Sequence, residues 1–201
     1  MTKPIKVFPN KEVIVEEKMD LRIKKTYLSL HNAFVELLEE KRFEELTVNE
    51  LCDRAMIRRT TFYKHFADKY EYFAFYVKEV VATFQERLPA DVDGGTANSY
   101  LIHMSRELIC FVKEHALFAR NIKNSSMFPM LLSILLDQIS SDMVQVLRRA
   151  YLDSMTRQQL EGIASFLAGG VTNTLFHMLK QDTEIDEEQF ICIISEFLPP
   201  E

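Results

Sequence analysis

The sequence predicts an all-α protein, on three observations. Gly and Pro together number 11 in 201 residues, roughly half of the usual share of about 12%. Apolar residues recur at intervals of three and four, the period of a helix face. No Gly or Pro stands between Asn10 and Leu88, whereas β sandwiches and barrels need both at short, regular intervals. Most nucleotide-binding α/β folds are also excluded, because the chain has no GxGxxG or GxxxxGK(S/T) loop.

Residues 1–20 are polar and read as an N-terminal arm. Four lysines there are matched by Glu12, Glu16, Glu17 and Asp20, a balance that argues against tracking a DNA minor groove. From Leu21 the helical period begins. Ile23, Tyr27, Leu30, Phe34, Leu37 and Leu38 share one face of a helix that runs to about Lys41. Thr47-Val48-Asn49-Glu50 is a capping box, in which the threonine hydroxyl and Glu50 satisfy each other's backbone N–H groups. It opens a second helix of about two turns with Val48, Leu51, Cys52 and Ala55 inward. After Met56-Ile57 a third short helix covers about Arg58 to Phe66, with Phe62 and Phe66 inward. Asp68–Glu71 makes another helix start, and the long helix it opens buries Phe73, Val77, Phe84 and Leu88 before Pro89 ends it.

A loop carrying Gly94 and Gly95 follows. Leu101, Met104, Leu108, Phe111 and Val112 mark a helix to about Glu114, and His115–Asn124 makes a short one. Met127–Ala150, Leu160–Leu179 and about Asp186–Leu198 complete a count of about nine helices.

The net charge of −6 is unevenly spread. Residues 1–70 hold 14 Lys and Arg against 12 Asp and Glu, and residues 71–201 hold 10 against 18. Arg54, Arg58, Arg59, Lys64 and Lys69 fall in one stretch with a single acid, Asp68. Two short helices joined by a tight turn, the second with a donor-rich outer face, have the form of a helix-turn-helix. The second of the pair must enter a major groove, and Arg59, Thr60, Thr61 and Lys64 supply donors and small side chains for it, with Arg58 adding charge beside it. Thr47, Tyr63, His65 and Lys69 stand at the flanks, where phosphates set the register, and Lys25 of the first helix is counted with them. The start of the fourth helix, at Lys69, is expected to present free N–H groups to a phosphate.

Three stretches carry a family resemblance: Phe43–Val48, Leu51–Ala55, and Arg59-Thr60-Thr61-Phe62-Tyr63-Lys64-His65-Phe66 followed by Asp68-Lys69. Over about residues 22–75 the sequence resembles the TetR/AcrR family of bacterial transcriptional regulators. Two positions depart from the family pattern. Met56 stands where the family has Gly in the turn, so the turn either avoids positive φ or bears some strain. Arg58 replaces a Ser or Asn cap and cannot cap as they do.

The resemblance implies a DNA-binding domain over 21–67 and a ligand-binding and dimerisation domain over 68–201. It implies a homodimer that acts as a repressor, released from a pseudo-palindromic operator by an unknown small-molecule effector. The dimer interface is then expected at Gly162, Ser165, Phe166, Ala168, Gly169, Thr172, Leu175, Phe190, Ile194 and Phe197. Residues that can line an effector pocket are Phe73, Tyr76, Tyr100, Met104, Phe111, Phe118, Met130, Phe176 and His177, with His103 a further polar candidate. The rival reading is a helical protein–protein adaptor or coactivator that keeps the fold without reading an operator, motivated by Met56, Arg58 and the acidic balance.

No nucleophile–base motif suggests an enzyme. The five His are far apart, so neither a metal site nor a cofactor is expected. Three scattered cysteines without an export signal suggest cytosolic thiols, and a cytoplasmic location away from membranes is expected.

Overall fold

The computed structural model describes residues 21–87, 96–150, 154–180 and 186–197. The expected arm, and the loop with Pro89, Gly94 and Gly95, lie outside the described residues. All regular structure among the described residues is helical, as the Gly and Pro scarcity predicts. The helices are α1 (Leu21–Glu40), α2 (Val48–Arg54), α3 (Arg59–Phe62), α4 (Lys69–Glu86), α5 (Ala97–Glu114), α6 (Ala116–Lys123), α7 (Phe128–Ala150), α8 (Arg157–Lys180) and α9 (Glu187–Phe197), with a 3-10 turn at Phe43–Glu45. The third helix is shorter than its pattern suggests. Only Arg59–Phe62 is regular, and the N–H groups of Tyr63, His65 and Phe66 continue as turn bonds to Arg59 and Phe62.

The chain forms two compact units, Met1–Thr83 with His115–Pro129, and Phe84–Glu114 with Met130–Glu201. Sequence reading places 68–201 in one domain; the compact units divide at Thr83, and α6 packs on α1 in the first. Asn121 donates to the Leu38 carbonyl at 2.6 Å, and the Phe118 ring lies edge-on to Phe34 at 6.4 Å.

The first unit is held by aromatic side chains. Phe34 of α1 meets Tyr72 at 5.2 Å and Tyr76 at 5.1 Å between ring centroids, and Phe66 meets Tyr72 at 5.0 Å. Edge-on and tilted pairs at these spacings contribute about 0.5–1.5 kcal/mol each beyond area burial. Two aromatic hydroxyls are buried with them. Tyr72 shares a 3.0 Å hydrogen bond with His31 Nδ1, and burial pushes the His31 imidazole down to about 3, so it is neutral near pH 7. The Tyr76 hydroxyl is buried with no hydrogen-bond partner.

In the second unit α5 packs on α8 and α9. Tyr100, Leu101 and Met104 of α5, Ala164, Ala168 and Leu175 of α8, and Phe190 and Ile194 of α9 are buried. The α7 segment Phe128–Arg149 is long and apolar enough, by length and composition, to cross a membrane. That is weak support for a span, since Leu135, Ile139, Met143 and Leu147 recur every four residues and are buried in this unit.

Candidate nucleic-acid interface

The geometry begins at the capping box. The Glu50 N–H donates to Thr47 Oγ1 at 3.2 Å, while Glu50 Oε2 accepts from the Thr47 N–H at 3.0 Å. Lys41 Nζ holds the same carboxylate at 2.6 Å, and these donors pull Glu50 down to about 2. The Thr47 hydroxyl donates to Glu50 Oε2 at 2.8 Å. A phosphate needs a donor, so Thr47 serves the helix start and not a phosphate; the flanking role expected for its hydroxyl is corrected.

The turn after α2 resolves the question left by Met56. Its φ is +54°, and it is the one non-glycine with positive φ among the described residues. The side chain is 93% exposed, so no packing compensates for the left-handed backbone. The turn is fixed instead by backbone bonds, Met56 N–H to the Asp53 carbonyl and Ile57 N–H to the Cys52 carbonyl. Arg58 then occupies the N-cap of α3 in an extended conformation with no side-chain cap bond, as its chemistry requires.

Phe62 and Phe66 bury the inner face of α3 and the turn after it. Arg59, Thr60, Tyr63 and Lys64 are left exposed on the outside, and Thr61 and His65 are half-buried. Lys25 is exposed on α1. His65 Nδ1 shares a 3.2 Å hydrogen bond with the Tyr27 hydroxyl, which ties the end of the recognition segment to α1.

The five cations of the basic stretch separate into two kinds. Arg54 makes a two-pronged pair with Glu40 at 2.9 and 3.0 Å and reaches Glu36 at 3.3 Å. That pairing lowers the Glu40 carboxyl below its ordinary range and fastens α2 to α1. Lys69 Nζ donates to the carbonyls of Phe43, Glu44 and Leu46 at 2.9, 3.1 and 2.7 Å, and sits 4.8 Å from the centre of the Phe43 ring. Burial there lowers its ammonium below the usual lysine range. All three ammonium protons are used, so the expected phosphate contact of Lys69 is corrected: it clamps the 3-10 turn. The start of α4 is committed too. Asp68 Oδ1 accepts from the N–H groups of Tyr70 and Glu71 at 2.8 and 2.9 Å, which occupies those two donors at the expected phosphate position. By contrast, the side chains of Arg58, Arg59 and Lys64 make no hydrogen bond or ion pair among the described residues.

The residues named for an effector do not converge. Phe73, Tyr76 and Phe118 are core of the first unit, packed edge-on or tilted among Phe34 and Phe43. Their aromatic character is spent on packing, which corrects their assignment to a pocket. Tyr100, Met104 and Phe176 are buried in the second unit, Phe111 lies against Phe84 at 6.0 Å, and Met130 and His177 are exposed. His103 Nε2 is 3.2 Å from the Phe84 carbonyl. A groove of about 380 Å³ between α7 and α8 is lined by Val144 and by polar residues, among them Asp137, Ser140, Gln145, Arg148 and Arg157, and by none of the nine.

Sequence reasoning missed a half-buried polar cluster. Asp142 of α7 accepts from the Tyr100 hydroxyl at 3.1 Å, from Gln138 at 3.4 Å, and from Gln85 of α4. Burial raises its carboxyl above the ordinary range. A single Asp at helical spacing carries no signal of this in the sequence.

The dimer residues divide by face. Gly162, Ser165 and Phe166 are exposed, Phe166 by 78%, and Gly169 is half-buried. Ala168, Thr172, Leu175, Phe190 and Ile194 are buried within the second unit. Their apolar surface is already used, so they are corrected from interface to core. The Phe197 side chain lies outside the described residues.

A capping-box helix, a tight turn and a second short helix with an exposed, unpaired basic face have the form of a helix-turn-helix. Residues 32–74 match the family model described as bacterial regulatory proteins, tetR family. Over 57 residues the chain is 37% identical to the uncharacterized HTH-type transcriptional regulator YxbF of Bacillus subtilis (strain 168), covering 28% of this chain and 15% of that protein. Among solved structures it is similar to the dihydroxyacetone kinase operon activator DhaS, with a TM-score of 0.61 and 17% identity over 85% of this chain and 92% of that one. The similarity to the tetR family of bacterial transcriptional regulators thus lies in residues 32–74, and over most of its length the chain shares an all-α fold with DhaS.

Proposed function

We propose that the protein is a homodimeric, cytoplasmic transcription repressor that binds a pseudo-palindromic operator and leaves it when a small molecule enters its C-terminal helical unit. The observation that carries the DNA role is the division of the cations. The fold uses Arg54 and Lys69 internally and leaves Arg58, Arg59 and Lys64 unpaired on the recognition segment. An adaptor without operator readout has no need of three uncompensated cations on one four-residue helix and its flanks.

The outer face of α8 supports the dimer. Gly162, Ser165, Phe166, Gly169, Asn173 and His177 fall on one helix face by their spacing. A Cβ added at Gly162, Gly169 or Gly170 meets nothing within 4 Å, so these glycines are not needed for packing within the chain. Phe166 then supplies apolar area that a second copy would cover.

For the effector, the support is the Asp142 cluster and the Thr172 hydroxyl, which is buried without a hydrogen-bond partner. A buried hydroxyl such as that of Thr172 is costly in a helical core unless something uses it. A ligand needs to favour one arrangement of the dimer by only a few kcal/mol to release DNA. Binding of the full chain to the DNA upstream of its own gene, followed by fluorescence anisotropy, tests the DNA role: salt-sensitive, sequence-dependent binding supports it, and its absence at every site tried refutes it. Transcript levels after gene deletion test the sign, a rise at the target marking a repressor and a fall an activator.

A further inference from the structure

We infer that the operator is read through guanine, with Arg58 and Arg59 each taking one G at adjacent base pairs of every half-site. This rests on the DNA-binding reading and specifies what that reading leaves open.

Three features of the chain carry it. Both guanidinium groups are exposed and unpaired among the described residues, although Arg54, four positions earlier, is held by two glutamates. Both stand at the start of the recognition segment, Arg58 as its extended N-cap and Arg59 as its first helical residue, and it is the N-terminal residues of such a helix that meet base edges. Their neighbours Thr60 and Thr61 are short, which lets the backbone approach the groove.

An arginine fork matches guanine O6 and N7 and no other base edge as well. Successive Cα atoms are about 3.8 Å apart, and base pairs rise by about 3.4 Å. The two long arginine side chains therefore start within reach of two adjacent pairs. Thr60 and Lys64 provide no comparable two-pronged donor, since Lys acts as a point charge.

Selection of binding sites from a random duplex pool with the full-length protein tests this. The expected result is two adjacent G·C pairs in each enriched half-site. In R59A the preference at one of the pairs is lost, in R58A at the other, and circular dichroism reports whether each variant is folded. Replacing those guanines by 7-deazaguanine, which removes the N7 acceptor, should weaken wild-type binding by about ten- to hundredfold. Enriched sites without such a pair, insensitivity to 7-deazaguanine, or even weakening of R58A and R59A across all sequences would overturn the inference while leaving DNA binding intact. No enrichment and no binding at all would overturn both.

Discussion

Met56 offers a quantitative test of the turn. Its φ of +54° places a branchless but Cβ-bearing residue in the left-handed region, which costs about 1–2 kcal/mol for an L residue. Glycine removes that cost but adds about 0.4–1 kcal/mol of unfolded-state entropy. Because the side chain is 93% exposed, its loss removes almost no packing. Met56→Gly should therefore stabilise the turn by about 0.5–1 kcal/mol, whereas Met56→Ala, which keeps the Cβ, should gain nothing. Hydrogen exchange of the Ile57 amide reads this locally, because that N–H closes the turn on the Cys52 carbonyl at 3.0 Å. Protection should rise by roughly two- to fivefold in the glycine variant and stay near wild type in the alanine variant. Equal protection in the two variants would show that the backbone here carries no strain.

Other outcomes follow from the same geometry. His31 is held neutral to about pH 3 when folded but protonates near 6.5 when unfolded, so the unfolded chain binds the extra proton and stability falls as pH drops from 6.5 toward 3. This one group gives at most about 1.4 kcal/mol per pH unit; urea unfolding between pH 6.5 and 5 should show the slope, and His31→Gln should flatten it. Lys69→Met leaves three carbonyls of the 3-10 turn without their donor and should cost about 2–3 kcal/mol, measured by the same unfolding. On the proposed dimer, Phe166→Glu should shift sedimentation toward monomer, and an unchanged oligomer would remove α8 as its interface.

The helices and the helix-turn-helix were legible in the sequence because both are local. Spacing at three and four residues placed α1, α4, α5 and α7, and the Thr47–Glu50 box marked the start of α2. Which cations are free was not legible. Arg54 and Lys69 look like Arg59 and Lys64 in the chain, and only the fold brings Glu40 to the one and the Phe43–Leu46 carbonyls to the other. The same limit misplaced Phe73, Tyr76 and Phe118: aromatic residues at helical spacing fit a pocket or a core equally well. Only the contacts of α1, α4 and α6 show that these three are core. For α8 the composition of Gly162–Leu175 suggested an interface, but the sequence did not separate its two faces, so buried Ala168 and Leu175 were grouped with exposed Phe166.

The central claim is that the fold sorts its cations, keeping Arg54 and Lys69 for itself and offering Arg59 and Lys64 to DNA. The direct test is the salt dependence of binding to one labelled operator duplex. The variant Lys64→Ala should reduce the slope of log K against log salt by about one, as expected for lost counterion release. Lys69→Met, assayed where it remains folded, should leave the slope unchanged. A slope that falls for Lys69→Met but not for Lys64→Ala would contradict the account.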